Sequence, residues 1–152
     1  MVEVLFYHLT ESRLEDALPS LLEKSLERGW RVSVHVGNVE RMKELDAHLW
    51  EFRDESFLPH GVDDPEQSGE AARQPILLTL SDVAANDASV RFAVDGAELP
   101  SLADCERLVV MFDGHDQQQL EAARSRWKQL KADGHELTYW QQNTDRRWER
   151  KA

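Results

Sequence analysis

The side chains able to do chemistry in this chain are few, and their spacing does not suit catalysis. Six histidines occur (His8, His35, His48, His60, His115 and His135), and none forms H-E-x-x-H or another compact ligand pair. His8 closes an apolar run and would meet Asp113 if their strands adjoin. A strand-end histidine is ordinarily a hydrogen-bonded structural group, since a general base also needs a substrate proton within reach. Asp95 and Asp113 each precede glycine, as turn residues do, rather than reading as a carboxylate dyad. The single cysteine, Cys105, excludes an internal disulfide and a multi-cysteine metal site, and reads as a small residue beside ERLVVMF. Neither G-x-G-x-x-G, G-x-x-x-x-G-K-[ST] nor G-x-S-x-G is present. The first strand runs into HLTESRLED, which lacks the glycines that let a backbone approach a pyrophosphate. No cofactor, metal or catalytic residue is expected. A nucleotide-binding or hydrolytic α/β enzyme stays as the alternative, with only its fold class behind it.

Two other groupings look made for contact. LWEFRDESFLPHG at 49–61 places Trp50, Phe52 and Phe57 within eight residues, then stops with Pro59, His60 and Gly61. Trp50 stands about 100° round the helix from Leu49, outside its main apolar stripe. Phe52 and Leu58 suit a local cluster over a sheet edge as well as a contact. Trp50 and Phe57 together suit a partner's pocket, because aromatic anchors dominate interface energetics. His60 would support that loop by hydrogen bonds or touch the partner itself. Later, Leu120, Ala123, Trp127 and Leu130 form one helical stripe. Arg124, Lys128 and Lys131 form a basic stripe beside it. Trp127 reads as core whose edge could floor a groove. A trough with a cationic rim suits a short peptide that combines acidic residues with an apolar end.

The elements that must hold these residues follow from periodicity. Val2–His8, Trp30–Val36, ILLTL after Gln74-Pro75, Ser89–Val94, Glu106–Phe112 and His135–Trp140 read as strands. Leu14–Arg28, Val39–Trp50 and His115–Ala132 read as helices, with Asn38 able to cap the second and glycines after the first and third. Residues 61–74 are polar and read as an exposed loop. The order β-α-β-α-β-β-β-α-β predicts a single α/β domain, Rossmann-like without nucleotide-binding motifs, whose largely parallel sheet is flanked by helices.

At 152 residues the chain suits one core. No apolar run is long enough to span a bilayer, and the N-terminus has no leader pattern, so a cytoplasmic protein without a membrane partner is expected. Net charge is −11, unevenly spread: residues 124–152 hold eight basic and four acidic groups, leaving the remainder at −15. An acidic body repels a phosphate backbone, so little direct nucleic-acid binding is expected.

Several stretches carry a resemblance: FYHL at 6–9, LLEKSLERGWRV at 21–32, LDAHLWEFRDESFLPHG at 45–61, QPILLT at 74–79 and AARSRWKQLKADGHELTYW at 122–140. In order and spacing they resemble the chi subunit (HolC) of bacterial DNA polymerase III. The resemblance implies a chi-like domain over residues 1–140, followed by a basic extension at 141–152 that adds charge near the late helix or is loose. It also implies a non-catalytic accessory subunit of the clamp-loader complex. Such a subunit pairs with psi, or an alternative helicase, and binds the acidic, phenylalanine-ended tail of single-stranded DNA-binding protein (SSB). By position, Trp50, Phe57, Pro59 and His60 match the segment that meets psi or the helicase. Arg124, Trp127 and Lys128 match the tail-binding residues, with Lys131 next along the stripe. Some members carry a further lysine one turn earlier, where this chain has Gln117–Leu120; that implies a weaker or differently arranged tail site.

Overall fold

Alternation along the first strand already sorts the core into two layers. In β1 (Glu3–Leu9), Val4 and Phe6 are buried in one apolar cluster while Tyr7 and Leu9 pack into another, as the period-2 geometry of a strand requires. The same split recurs in β6 (Arg107–Asp113), with Val109 and Met111 on one side and Leu108, Val110 and Phe112 on the other. A computed structural model describes residues 2–51, 60–63, 73–80, 86–99, 102 and 105–152.

The remaining strands are β2 (Val32–His35), β3 (Gly61–Val62), β4 (Ile76–Thr79), β5 (Val90–Val94), β7 (Glu136–Gln142) and β8 (Trp148–Arg150). They form one sheet in the order β3-β4-β2-β5-β6-β1-β7-β8, parallel throughout except for β8. Every residue of β2, β4 and β5 is buried, the pattern of parallel strands covered on both faces. Helices α1 (Leu14–Glu27) and α2 (Val39–Glu51) supply Leu18, Leu22, Leu45 and Leu49 to one face. Helix α3 (Gln117–Ala132) supplies Ala123 and Leu130 to the other. The α/β class and the largely parallel sheet are those expected, and all six expected strands and three helices are present.

Two strands go beyond the expectation. β3 pairs with β4 through Gly61 and Val62, at the start of the stretch read as a loop. β8 lies within residues 141–152 and pairs antiparallel with β7, so that Trp140 faces Arg150. Asn38 caps α2 as expected, accepting the Arg41 amide at 2.8 Å, and Asp116 caps α3 by accepting the Gln119 amide at 3.1 Å. Arg41 of α2 ties three elements together through Glu15, Glu44 and Asp95. Burial alone would raise the Glu15 carboxyl, but the Arg41 hydrogen bond and charge hold it below the usual range.

Candidate docking sites

The late helix lies along the β6–β1–β7 side of the sheet, and its stripe residues divide by depth. Ala123 and Leu130 are buried, Leu120 and Trp127 are half-buried, and Arg124, Lys128 and Lys131 are exposed. Trp127 meets Phe6 edge-on, with ring centroids 5.3 Å apart, and Tyr139 of β7 at 5.7 Å. Its other edge lines a surface groove of about 360 Å³ shared with Phe112, Leu120, Arg124, Lys128 and Tyr139. Ala152, beyond β8, also lines it; it is held there because the Lys151 amide donates to the Tyr139 carbonyl at 2.7 Å. The structure thus brings Arg124, Trp127 and Lys128 together on one groove. Lys131, also on the helix's exposed side, is not among the lining residues.

Tyr139, like Phe112, is a groove residue that sequence reasoning missed. On β7 it points to the α3 face through strand alternation, a placement visible only once the sheet order is known. Its hydroxyl shares a 2.7 Å hydrogen bond with His8 Nδ1, and the His8 ring stacks on Phe112 at 4.9 Å and 26°. Burial pushes the Tyr139 phenol upward, with the nearby Arg124 charge pulling against it. Burial also holds His8 below the ordinary histidine value of 6.5, helped by the His115 and Arg124 charges and opposed by Asp113. The strands of His8 and Asp113 do adjoin, with Leu9 opposite Asp113, yet His8 bonds Tyr139 instead. Gly114 leaves room for the His8 ring, which a Cβ at that position would displace.

The loop after β1 is where an α/β fold would hold phosphate, and here its amides are taken. Gln142 Oε1 accepts from the backbone amides of Thr10, Glu11 and Ser12 at 3.3, 3.2 and 3.1 Å. Its Nε2 donates to Ser12 Oγ at 3.0 Å, and the Gln142 side chain is buried. A side chain from the far end of the chain therefore satisfies the donors that a phosphate would need.

At the other candidate surface, α2 buries Met42, Leu45 and Leu49 and leaves Trp50 52% exposed. The Trp50 ring lies 4.3 Å from that of His60, tilted by 41°. His60 is buried, with Nε2 3.1 Å from Asp46 Oδ1 and 3.3 Å from the Asp46 carbonyl oxygen. His60 thus holds the start of β3 against α2 and backs the exposed indole. Trp50 and His60 come together as one patch; Phe57 and Pro59 lie outside the described residues.

Among the described residues no group of three His, Cys, Asp or Glu side chains could hold a metal ion, and no helix is long and apolar enough to cross a membrane. Residues 1–138 match the model of a family described as DNA polymerase III chi subunit, HolC. Two curated relatives are similar. One, from Pseudomonas aeruginosa and named DNA polymerase III subunit chi, is 35% identical over 66 residues, 43% of each chain. The other, from Rickettsia prowazekii and named probable DNA polymerase III subunit chi, is 24% identical over 113 residues, 74% of this chain and 66% of the relative.

Proposed function

This chain belongs to the DNA polymerase III chi subunit family, and from that premise we propose that it is a non-catalytic adaptor of the clamp-loader complex in the cytoplasm. In this reading it grips the acidic, phenylalanine-ended tail of SSB with one surface and psi, or a helicase, with another. The observation that carries the reading is the α3 groove. Trp127, Tyr139 and Phe112 offer an apolar floor for a terminal ring, and Arg124 and Lys128 stand on its rim to meet carboxylates. A cationic site on a chain of net charge −11 selects acidic segments and speeds their encounter. Lys131, further along the same exposed side, adds attraction at longer range.

The test is a fluorescence titration of the full chain with a peptide ending in acidic residues, proline and phenylalanine. Binding should weaken steeply with salt. Arg124→Ala should cost about 1–3 kcal/mol of binding, the size of a charge-assisted contact. Unchanged affinity in that variant would remove Arg124 from the site.

The second surface centres on Trp50, backed by His60, with Phe57 and Pro59 following from the family resemblance. Phe57→Ala should abolish co-purification with psi or the helicase while leaving thermal stability nearly intact. A large loss of melting temperature would instead place Phe57 in the core.

A further inference from the structure

A second concavity lies on the opposite face of the sheet from the α3 groove. It is a pocket of about 390 Å³ between the C-terminal half of α1 and the β1–β7–β8 strands. Its walls are unusually aromatic for a site that the peptide reading does not use. Tyr7 and Trp140 sit opposite each other in register on β1 and β7, their ring planes only 17° apart. Trp148 of β8 meets Tyr7 edge-on, with centroids 4.8 Å apart. Trp140 and Trp148 lie beyond residues 1–138, the span of the family match, so this pocket is not implied by membership.

The charge of the lining is as one-sided as its aromaticity. In a chain of net charge −11, the charged side chains lining the pocket among the described residues are Lys24, Arg28 and Arg107, with no carboxylate. Trp30 organises two of them, with the Arg28 and Arg107 guanidinium carbons 5.0 and 4.6 Å from its ring centroid. Such cation–π contacts fix the direction of a guanidinium without neutralising it. Arg107 also pairs with Glu3 at 3.0 Å, whereas among the described residues neither Lys24 nor Arg28 makes an ion pair. Among those residues nothing hydrogen-bonds the Tyr7 hydroxyl, which lies close enough to both guanidinium groups to feel their charge. Cations at the end of α1 also offset the helix dipole, but that role needs neither the aromatic walls nor the cavity.

We propose that this pocket binds a nucleotide, with its base against Tyr7, Trp140 and Trp148 and its phosphate held by Lys24, Arg28 and Arg107. Flat aromatic faces beside guanidinium groups suit a planar base and its anion together. The volume lies in the range of small-ligand sites. The lining does not include the β1–α1 loop residues, whose amides Gln142 occupies. It is also independent of the peptide reading, so either can fail alone.

The experiment is a titration of the isotopically labelled full chain with deoxyadenosine monophosphate to millimolar concentration, following the indole resonances. Trp30, Trp140 and Trp148 should shift together and saturate. Deoxyadenosine and inorganic phosphate, each holding half of the recognised chemistry, should bind about tenfold more weakly or worse. A Lys24→Glu, Arg28→Glu double variant should lose about tenfold or more in affinity while remaining folded, its melting temperature lowered only by the lost helix-end interaction, since both side chains are exposed. A short 5′-phosphorylated oligothymidylate that outcompetes the mononucleotide would identify the source as single-stranded DNA; one that does not would identify free nucleotide. Indoles that stay still at millimolar nucleotide, phosphate alone binding equally well, or charge reversal without effect would overturn the proposal.

Discussion

One hydrogen bond, between Tyr139 and His8, fixes a wall of the α3 groove, and it makes His8 a reporter of that groove. Burial, His115 and Arg124 disfavour the imidazolium and hold His8 below its ordinary 6.5, against the pull of Asp113. The unfolded chain therefore takes up the proton first as pH falls. Stability should fall with pH from the unfolded midpoint down to the folded one, and no further from this group. In nuclear magnetic resonance, His8 should titrate below about 6.5, and an anionic peptide in the groove should move that midpoint upward. A free-protein midpoint above the ordinary value would show that burial does not dominate at His8. The residues that sequence reasoning chose for this groove came from helical spacing, which sets Arg124 and Lys128 beside Trp127 whatever the rest of the fold does. Tyr139 was not legible in that way. Its side chain reaches the groove because β7 lies next to β1, and no local pattern in HELTYW encodes that neighbour.

Among the elements, those with their own apolar period were readable and those defined by a partner were not. α1, α2 and α3 each carry a stripe, and the six expected strands are apolar runs. β3 has two residues and β8 has the sequence WER; each is a strand only because β4 or β7 pairs with it. The same holds for Gln142, a polar residue near a basic end whose side chain caps a loop about 130 positions away. Gln142→Ala should leave three amides without their acceptor. A loss of about 1 kcal/mol is expected in urea denaturation, as for part-buried donors that lose a hydrogen-bond partner. Stability within experimental error of the parent would mean that water replaces the side chain and that the clamp is incidental. The clamp occupies the place where the fold class would otherwise bind phosphate.

Taken together, the surfaces divide along the sheet. α3 carries a cationic groove on one face, the α1 side carries an aromatic pocket, and α2 presents Trp50 at the far end of the strand order. Net charge was a correct guide to an acidic protein but not to these places, because a sum over the chain does not say which cations the fold gathers. Arg107 and Arg28 are far apart in sequence and meet only through Trp30. The most direct test of the adaptor reading maps the acidic, phenylalanine-ended peptide onto the isotopically labelled full chain. Resonances of Arg124, Trp127, Lys128 and Tyr139 should shift as a saturable set, while those of Trp140 and Trp148 stay in place. A peptide with its acidic residues replaced by lysine should leave all of them unmoved. Shifts confined to other surfaces, or equal binding of the lysine peptide, would contradict the assignment of the α3 groove.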